Sequence, residues 1–355
     1  MHDQSIKARK QIISILILLV LIVITILYYL KGYTLQDLQN ALANANFAYL
    51  FGGFCMIIIF VICEAINIYL ILKTLNHKIP FFRCFEYSSI GFYFSSITPS
   101  ASGGQPAQIY YMKQDKIPMA ASSITIFFIV YVYQIAMILI GFIMTLLRFS
   151  EALYFISKLR YLFIYGMIMN TGAIFIFFSL MYSKKLAPSI VAFILKVGNK
   201  LRLVKSIDET KNRFDKSLVS YHEKAMILKT HPLLFFKILL FSIIQMLALN
   251  SIPYLVYCSM GYRTKGILDM ITCQSILTIS VSAVPLPGAE GVTQGGFLQV
   301  FNAFFPSDML TYAMLINRVI SFYLPLLLSF ILYIFTHIRT TKQSIRGDFL
   351  EGKQN

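Results

Sequence analysis

The segment Ser95-Ser96-Ile97-Thr98-Pro99-Ser100-Ala101-Ser102-Gly103-Gly104-Gln105-Pro106-Ala107-Gln108 decides how this chain folds. It does so together with a counterpart in the opposite half, Ala283-Val284-Pro285-Leu286-Pro287-Gly288-Ala289-Glu290-Gly291-Val292-Thr293-Gln294-Gly295-Gly296. Each is a polar break rich in Gly and Pro, flanked by apolar stretches shorter than the roughly 20 residues a bilayer crossing needs. Irregular backbone is tolerated at membrane depth only where it is buried in protein or lines a cavity. Paired interruptions in two halves of a chain therefore point to a transporter's binding site.

Outward from these breaks the chain is apolar. Of 355 residues, 57% are hydrophobic and 13% charged, and the mean hydropathy is +0.71. This composition implies an all-α, polytopic membrane helix bundle and excludes an ordinary soluble domain. Six runs are long enough to cross about 30 Å of hydrocarbon: Ile12–Leu30, Phe47–Leu72, Pro118–Leu147, Tyr161–Tyr182, Leu233–Met260 and Leu310–Phe335. Pro118 and Pro232 stand at helix starts, where a missing N–H costs nothing.

The net charge is +16. The basic residues sit beside apolar runs, a pattern of membrane topology and attraction to anionic lipid rather than of nucleic-acid binding. No helix-turn-helix, zinc-finger or RNA-recognition signature accompanies them. Lys7, Arg9 and Lys10 precede the first run, and no small-residue cleavage site follows closely, so an uncleaved span is expected. The N-terminus, the loop with Lys73, Lys78 and Arg83, the segment 183–232 and the tail with Arg339, Lys342 and Arg346 are all expected on the cytoplasmic side.

This placement makes the region 85–111 enter and leave from the cytoplasm, and the region 268–305 enter and leave from outside. The expected organisation is an inverted-topology repeat. Residues 1–150 form the first repeat, and 151–182 the first span of the second. Residues 183–232 form a basic, amphipathic cytoplasmic linker. Residues 233–338 complete the second repeat, and 339–355 are a cytoplasmic tail. Eight full spans, with both termini still inside, is the competing topology. Arg148, Lys158 and Arg160 sit awkwardly in the outer loop that the inverted-repeat scheme assigns to 148–160. Within the linker, the run after Pro188 reads as an amphipathic helix on the inner leaflet.

Five cysteines without a CxxC pattern read as small core residues, and five scattered histidines lack metal-ligand spacing. Trp is absent, which leaves the 22 Tyr to supply the interfacial belt.

Two full charges fall deep inside spans, Glu64 and Arg318, each roughly 12 Å from its nearer span end at 1.5 Å per residue. Such residues face a partner or a cavity. A Glu64–Arg318 ion pair is one reading; a grip by Arg318 on a lipid phosphate is the other, because guanidinium matches phosphate oxygens in a bidentate fork. In the breaks, Gly103, Gly104 and Gly288 permit positive φ and close approach of a ligand, unless they serve tight helix packing. A helix restarting after such a turn aims free N–H groups at the cavity. Thr98, Ser100, Ser102, Gln105 and Gln108 add neutral polar groups on one side; Glu290, Thr293 and Gln294 do so on the other. No catalytic set is visible: there is no GxSxG elbow, HExxH, Walker loop or Rossmann fingerprint. No cofactor is implied.

Thr98-Pro99-Ser100-Ala101-Ser102-Gly103-Gly104-Gln105-Pro106-Ala107-Gln108-Ile109-Tyr110-Tyr111 closely resembles a signature of the lysylphosphatidylglycerol synthase membrane-domain family, the flippase-like half of the bacterial multiple peptide resistance factor. Pro285-Leu286-Pro287-Gly288-Ala289-Glu290-Gly291-Val292 resembles that family's Pro-x-Pro-Gly turn. Asn317-Arg318-Val319-Ile320-Ser321-Phe322-Tyr323-Leu324-Pro325 resembles its Arg-containing last helix. The family often carries Glu where this chain has Gln294, so either Glu290 takes the acidic role or that role is lost. Full-length resistance factors add a soluble domain that transfers lysine from tRNA to phosphatidylglycerol, for which 355 residues leave no room.

The resemblance thus implies a bacterial inner-membrane flippase for a phospholipid, such as lysyl-phosphatidylglycerol or another modified or glycosylated lipid, linked to cationic-peptide resistance. Arg318 and the hairpin N-termini, with Pro287, Asn317 and Tyr323 around them, would hold the phosphate; Glu64, Glu290 and Gln105 would meet the headgroup. The alternatives are a phosphatidylglycerol lysyltransferase or its membrane subunit, and an accessory protein for a lipid-linked glycosyltransferase. A homo-oligomer or a separate soluble synthase or glycosyltransferase would be the protein partner.

Overall fold

The computed structural model describes residues 45–182, 220–221 and 223–351, with residues 16 and 20 in addition. The expected first span, Ile12–Leu30, and most of the linker 183–232 with its amphipathic run lie outside the described residues.

All regular structure among the described residues is helical: α1 Phe47–Thr74, α2 Phe81–Ile97, α3 Gly104–Gln114, α4 Met119–Leu147, α5 Phe149–Lys158, α6 Arg160–Tyr182, α7 Pro232–Ser259, α8 Ile267–Val281, α9 Val292–Phe301, α10 Ser307–Arg318 and α11 Leu324–Glu351. Helices α1, α4, α6 and α7, and the continuous run Ser307–Thr340, are long and apolar enough to cross a membrane. The chain is an all-α polytopic membrane bundle. Its long helices begin where the sequence offers a start signal. Asn46 Oδ1 accepts the Ala48 N–H at 3.0 Å to cap α1, Pro118 immediately precedes α4, and Pro232 opens α7.

The two broken segments are helical hairpins. In the first, α2 and α3 are joined by a 3₁₀ turn at Pro99–Ala101. Their far ends lie together, because the Tyr87 hydroxyl near the start of α2 donates to Asp115 Oδ2 just past α3 at 2.6 Å. In the second, α8 and α9 are joined by a turn at Pro287–Ala289. Phe305, beyond α9, packs 6.1 Å from Tyr262, ahead of α8. Each chain segment therefore returns to the end from which it set out.

The two tips share one conformation at a constant separation in sequence. Thr98 (φ −117°, ψ 146°) corresponds to Leu286 (φ −120°, ψ 145°), Pro99 to Pro287, and Ser100 (φ 51°, ψ 29°) to Gly288 (φ 60°, ψ 12°). The same stagger carries the start of α3 at Gly104 onto that of α9 at Val292, and the start of α4 at Met119 onto that of α10 at Ser307. Pro118 and Pro306 hold matching extended conformations ahead of the latter pair. The tips meet each other, and Leu286 and Ala289 of the second pack against the core that includes Ile57, Phe60, Ile252 and Val256.

One expectation is revised. Residues 149–158, expected as a charged loop, form the helix α5, because Ala152, Phe155 and Ile156 fall on one face and pack against the core. Arg148 is offset by Asp269 at 3.1 Å. The last helix continues beyond its apolar stretch to Glu351, so Arg339 is helical. Arg339 bridges Glu86 at 3.1 Å and Asp115 at 3.3 Å, tying α11 to the far ends of the first hairpin. All five cysteines are free, four of them buried.

Candidate functional site

The second tip is held by one ion pair. Arg318, the last residue of α10, directs Nη2 to Glu290 Oε2 at 2.8 Å and to the Gly288 carbonyl at 2.5 Å. Its guanidinium lies 3.9 Å from the Phe322 ring centroid, within cation–π range. Glu290 also accepts from the Tyr323 hydroxyl at 2.6 Å and from the Gln294 amide. Gln294 turns its own oxygen back to the Gly291 N–H at 2.8 Å, capping α9. Glu290 and Gln294 are each 2% exposed, and Arg318 is 8% exposed. Pro325 explains why these donors can converge. It has no N–H for the Ser321 carbonyl, and the backbone responds with a π turn at Val319–Tyr323, in which the Leu324 N–H reaches Val319 O. Such single-turn bulges concentrate at functional sites.

The anticipated Glu64–Arg318 pair does not form: Arg318's carboxylate partner is Glu290, contributed by the turn. Glu64 instead accepts from Gln108 Nε2 of α3 at 2.7 Å. The glycines also divide. Gly288, at φ +60°, needs the left-handed region, and a Cβ there would strike the Phe322 ring. Gly103 has an ordinary φ of −85°. The positive φ values of the first tip fall on Ser100 and Ala101, a costly conformation for residues with a side chain. Gly104 serves close packing, since a Cβ there would lie 2.7 Å from the Gly91 carbonyl of α2.

Two cavities adjoin the tips. The smaller, about 270 Å³, has Ser100, Gly288, Gln274, Asn317, Arg318 and Ser321 on its wall. The larger, about 710 Å³, has Glu64, Gln105, Gln108, Gln134, Asn170 and Gln245. Phe60, Phe92, Ser95, Ser100, Ala101, Tyr133, Thr278 and Ser282 belong to both walls, so the two are neighbouring chambers of one hollow. The outer side of the larger chamber includes the exposed Met169, with Ala173 and Phe177, on α6. Gln134 Oε1, Gln245 Oε1, Gln274 Oε1 and Asn317 Oδ1 are buried without a partner, which is unusual for folded chains.

The predicted residues therefore fall into two sets. Glu64, Gln105, Gln108, Gly288, Asn317 and Arg318 line the hollow. Gly103, Gly104, Pro287, Glu290, Gln294 and Tyr323 stand behind that wall and position it. Gln134, Gln245, Gln274 and Asn170 were not anticipated; their signal was an amide inside an otherwise apolar helix. A second feature unanticipated from sequence is the charge cluster Arg83, Glu86, Asp115 and Arg339 at the far ends of the first hairpin, where Arg83 holds Glu86 at 2.9 Å. Among the described residues no group of His, Cys, Asp and Glu is arranged to hold a metal ion.

The family model described as "Lysylphosphatidylglycerol synthase TM region" matches residues 11–329. This chain belongs to that family. The match takes in both hairpins, the Glu290–Arg318 pair and the wall of the hollow. A relative from Archaeoglobus fulgidus, a "UPF0104 membrane protein", is 24% identical over 317 residues, covering 86% of this chain and 92% of the relative. As a member of the TM-region family the chain is a multi-pass membrane protein, embedded in and in contact with lipid. In the position where the resemblance raised Gln294 as a departure, Glu290 and Gln294 are hydrogen-bonded neighbours, and Glu290 supplies the carboxylate beside Arg318.

Proposed function

We propose that the chain moves a phospholipid between the two leaflets of a bacterial inner membrane, with both termini in the cytoplasm. The observation that carries this reading is the two-chambered polar hollow at the junction of two hairpin tips, inside a bundle whose outer surface is apolar. One chamber offers a guanidinium and the other a carboxylate with several amides. A zwitterionic or cationic headgroup has the complementary pair, a phosphate and an ammonium. In the reading proposed here Arg318 takes the phosphate oxygens, while Glu64, Gln105 and Gln108 take the polar end. The α6 side of the larger chamber, with exposed Met169, lets acyl chains stay in lipid while the headgroup crosses.

The matched dihedral angles of the tips and the constant stagger of the helix starts support an inverted repeat of residues 1–150 and 151–338, with the hairpins dipping in from opposite faces. Rocking of one repeat against the other would expose the hollow to each leaflet in turn. The test is reconstitution in liposomes with several headgroup-labelled lipids, phosphatidylglycerol and lysyl-phosphatidylglycerol among them, followed by quenching from outside. The reading predicts protein-dependent loss of the protected inner-leaflet fraction for at least one lipid. If no lipid relocates faster than in protein-free vesicles, the proposal is refuted.

A further inference from the structure

The carboxylates of Glu64 and Glu290 are treated unequally. Glu290 has a guanidinium at 2.8 Å. Glu64 has only neutral donors: Gln108 of α3 bonds it directly. The rest of its chamber adds Gln134 and Tyr133 of α4, Asn170 of α6 and Gln245 of α7. Among the described residues, the titratable side chains on that wall are Glu64 and Tyr133. On α2, Glu86 is taken up by Arg83 and Arg339. The stagger that superposes the tips places Val130 where the second half has Arg318, and Val130 lines the chamber of Glu64. Among the described residues, no cation within salt-bridge distance offsets this charge. Gln134 and Gln245 meanwhile leave buried carbonyl oxygens without donors. The chamber is thus built of acceptors waiting for a donor.

We propose that Glu64 is a proton-coupling site, at which a proton and the primary ammonium of a lipid headgroup replace one another. This deepens the transport reading above and rests on it. A carboxylate at such depth cannot remain ionised and unpaired while the hollow changes sides, because desolvation without a counter-charge is prohibitive. With no headgroup bound, Glu64 carries a proton. An arriving ammonium displaces that proton to the side then open. When the headgroup leaves on the other side, a proton from that side returns to the carboxylate. Each cycle carries one ammonium one way and one proton the other; no bond other than O–H is made or broken. The amide carbonyls of Gln134 and Gln245 accept from the ammonium's remaining hydrogens.

The experiment uses the full chain in phosphatidylglycerol vesicles with a pH-sensitive dye inside, with and without a trace of lysyl-phosphatidylglycerol in the outer leaflet. The unaltered chain is expected to give proton movement that requires the lysyl lipid and accompanies its relocation, and an imposed pH gradient is expected to set the direction of that relocation. Glu64→Gln is expected to lose lipid-dependent proton movement, while Glu64→Asp keeps it at a reduced rate. Both variants are first checked for the parent's thermal unfolding and elution profile. If Glu64→Gln fails that check, the comparison of the parent with Glu64→Asp under opposite gradients decides. Lysyl-lipid relocation that ignores the gradient and moves no protons overturns the coupling but leaves the transport reading intact. Relocation of no lipid at all overturns both.

Discussion

Replacing Arg318 by Ala removes the cation paired with Glu290, and the structure sets the size of the effect. The lost contacts are the 2.8 Å ion pair, the 2.5 Å bond to the Gly288 carbonyl and the stacking over Phe322. The carboxylate left behind is fully shielded from solvent, with Arg318's own side chain 9% exposed. Breaking a buried pair from one side costs about 3–5 kcal/mol. The Tyr323 hydroxyl and the Gln294 amide still solvate the carboxylate, so the lower end, about 3 kcal/mol, applies. Thermal unfolding of the purified chain in detergent should fall by several degrees. The neutral double variant Glu290→Gln/Arg318→Met, with no stranded charge, should recover most of that loss while failing to relocate lipid. An Arg318→Ala chain that unfolds at the parent temperature would refute the claim that this pair fastens the second tip.

Gly104→Val should destabilise the first hairpin by about 1–3 kcal/mol through overpacking, since the new atoms meet the rigid Gly91 carbonyl; thermal unfolding reads it. Gly288→Ala should cost about 1–2 kcal/mol from the left-handed φ, plus displacement of Phe322, and should weaken lipid relocation in the vesicle assay. Arg339→Ala frees α11 from Glu86 and Asp115. Because those carboxylates are partly shielded, the cost lies between the exposed and buried limits, about 1–2 kcal/mol, and proteolysis near residue 339 should quicken.

Much of this fold was legible from punctuation. Pro99 and Gly103-Gly104, and Pro287-Gly288, mark the two turns because Pro and Gly interrupt helices whatever surrounds them. Depth arithmetic found Glu64 and Arg318 but not the partner of Arg318, since it compares residues on continuous helices only. Glu290 lies in a turn, whose depth no count of 1.5 Å steps can supply. Gly103 and Gly104 carried two readings, a turn or close packing, that sequence does not separate. A glycine needed for closeness and one needed for a positive φ look alike in sequence, and here Ser100 and Ala101 bear the strained angles. The Arg339 cluster was hidden because Arg339 lies more than two hundred residues from its partners, and α11 continues past its apolar stretch. Helix α5 was concealed by the flanking charges of Arg148, Lys158 and Arg160, which obscured a short amphipathic period. The π turn had a visible cause, Pro325 within an apolar run, but its consequence for the direction of Arg318 is a tertiary matter.

The claim that the two tips enclose the path of the lipid is tested most directly by tying them together. Residues of the turns Pro99–Ala101 and Pro287–Ala289 approach within 8 Å between Cα atoms, near the range a disulfide accepts. With the five native cysteines replaced, Ser100→Cys and Ala289→Cys should cross-link on mild oxidation in native membranes. In vesicles the linked protein should stop relocating lipid, and reduction should restore the rate. Lipid that moves as fast through the linked protein as through the reduced one would contradict the account.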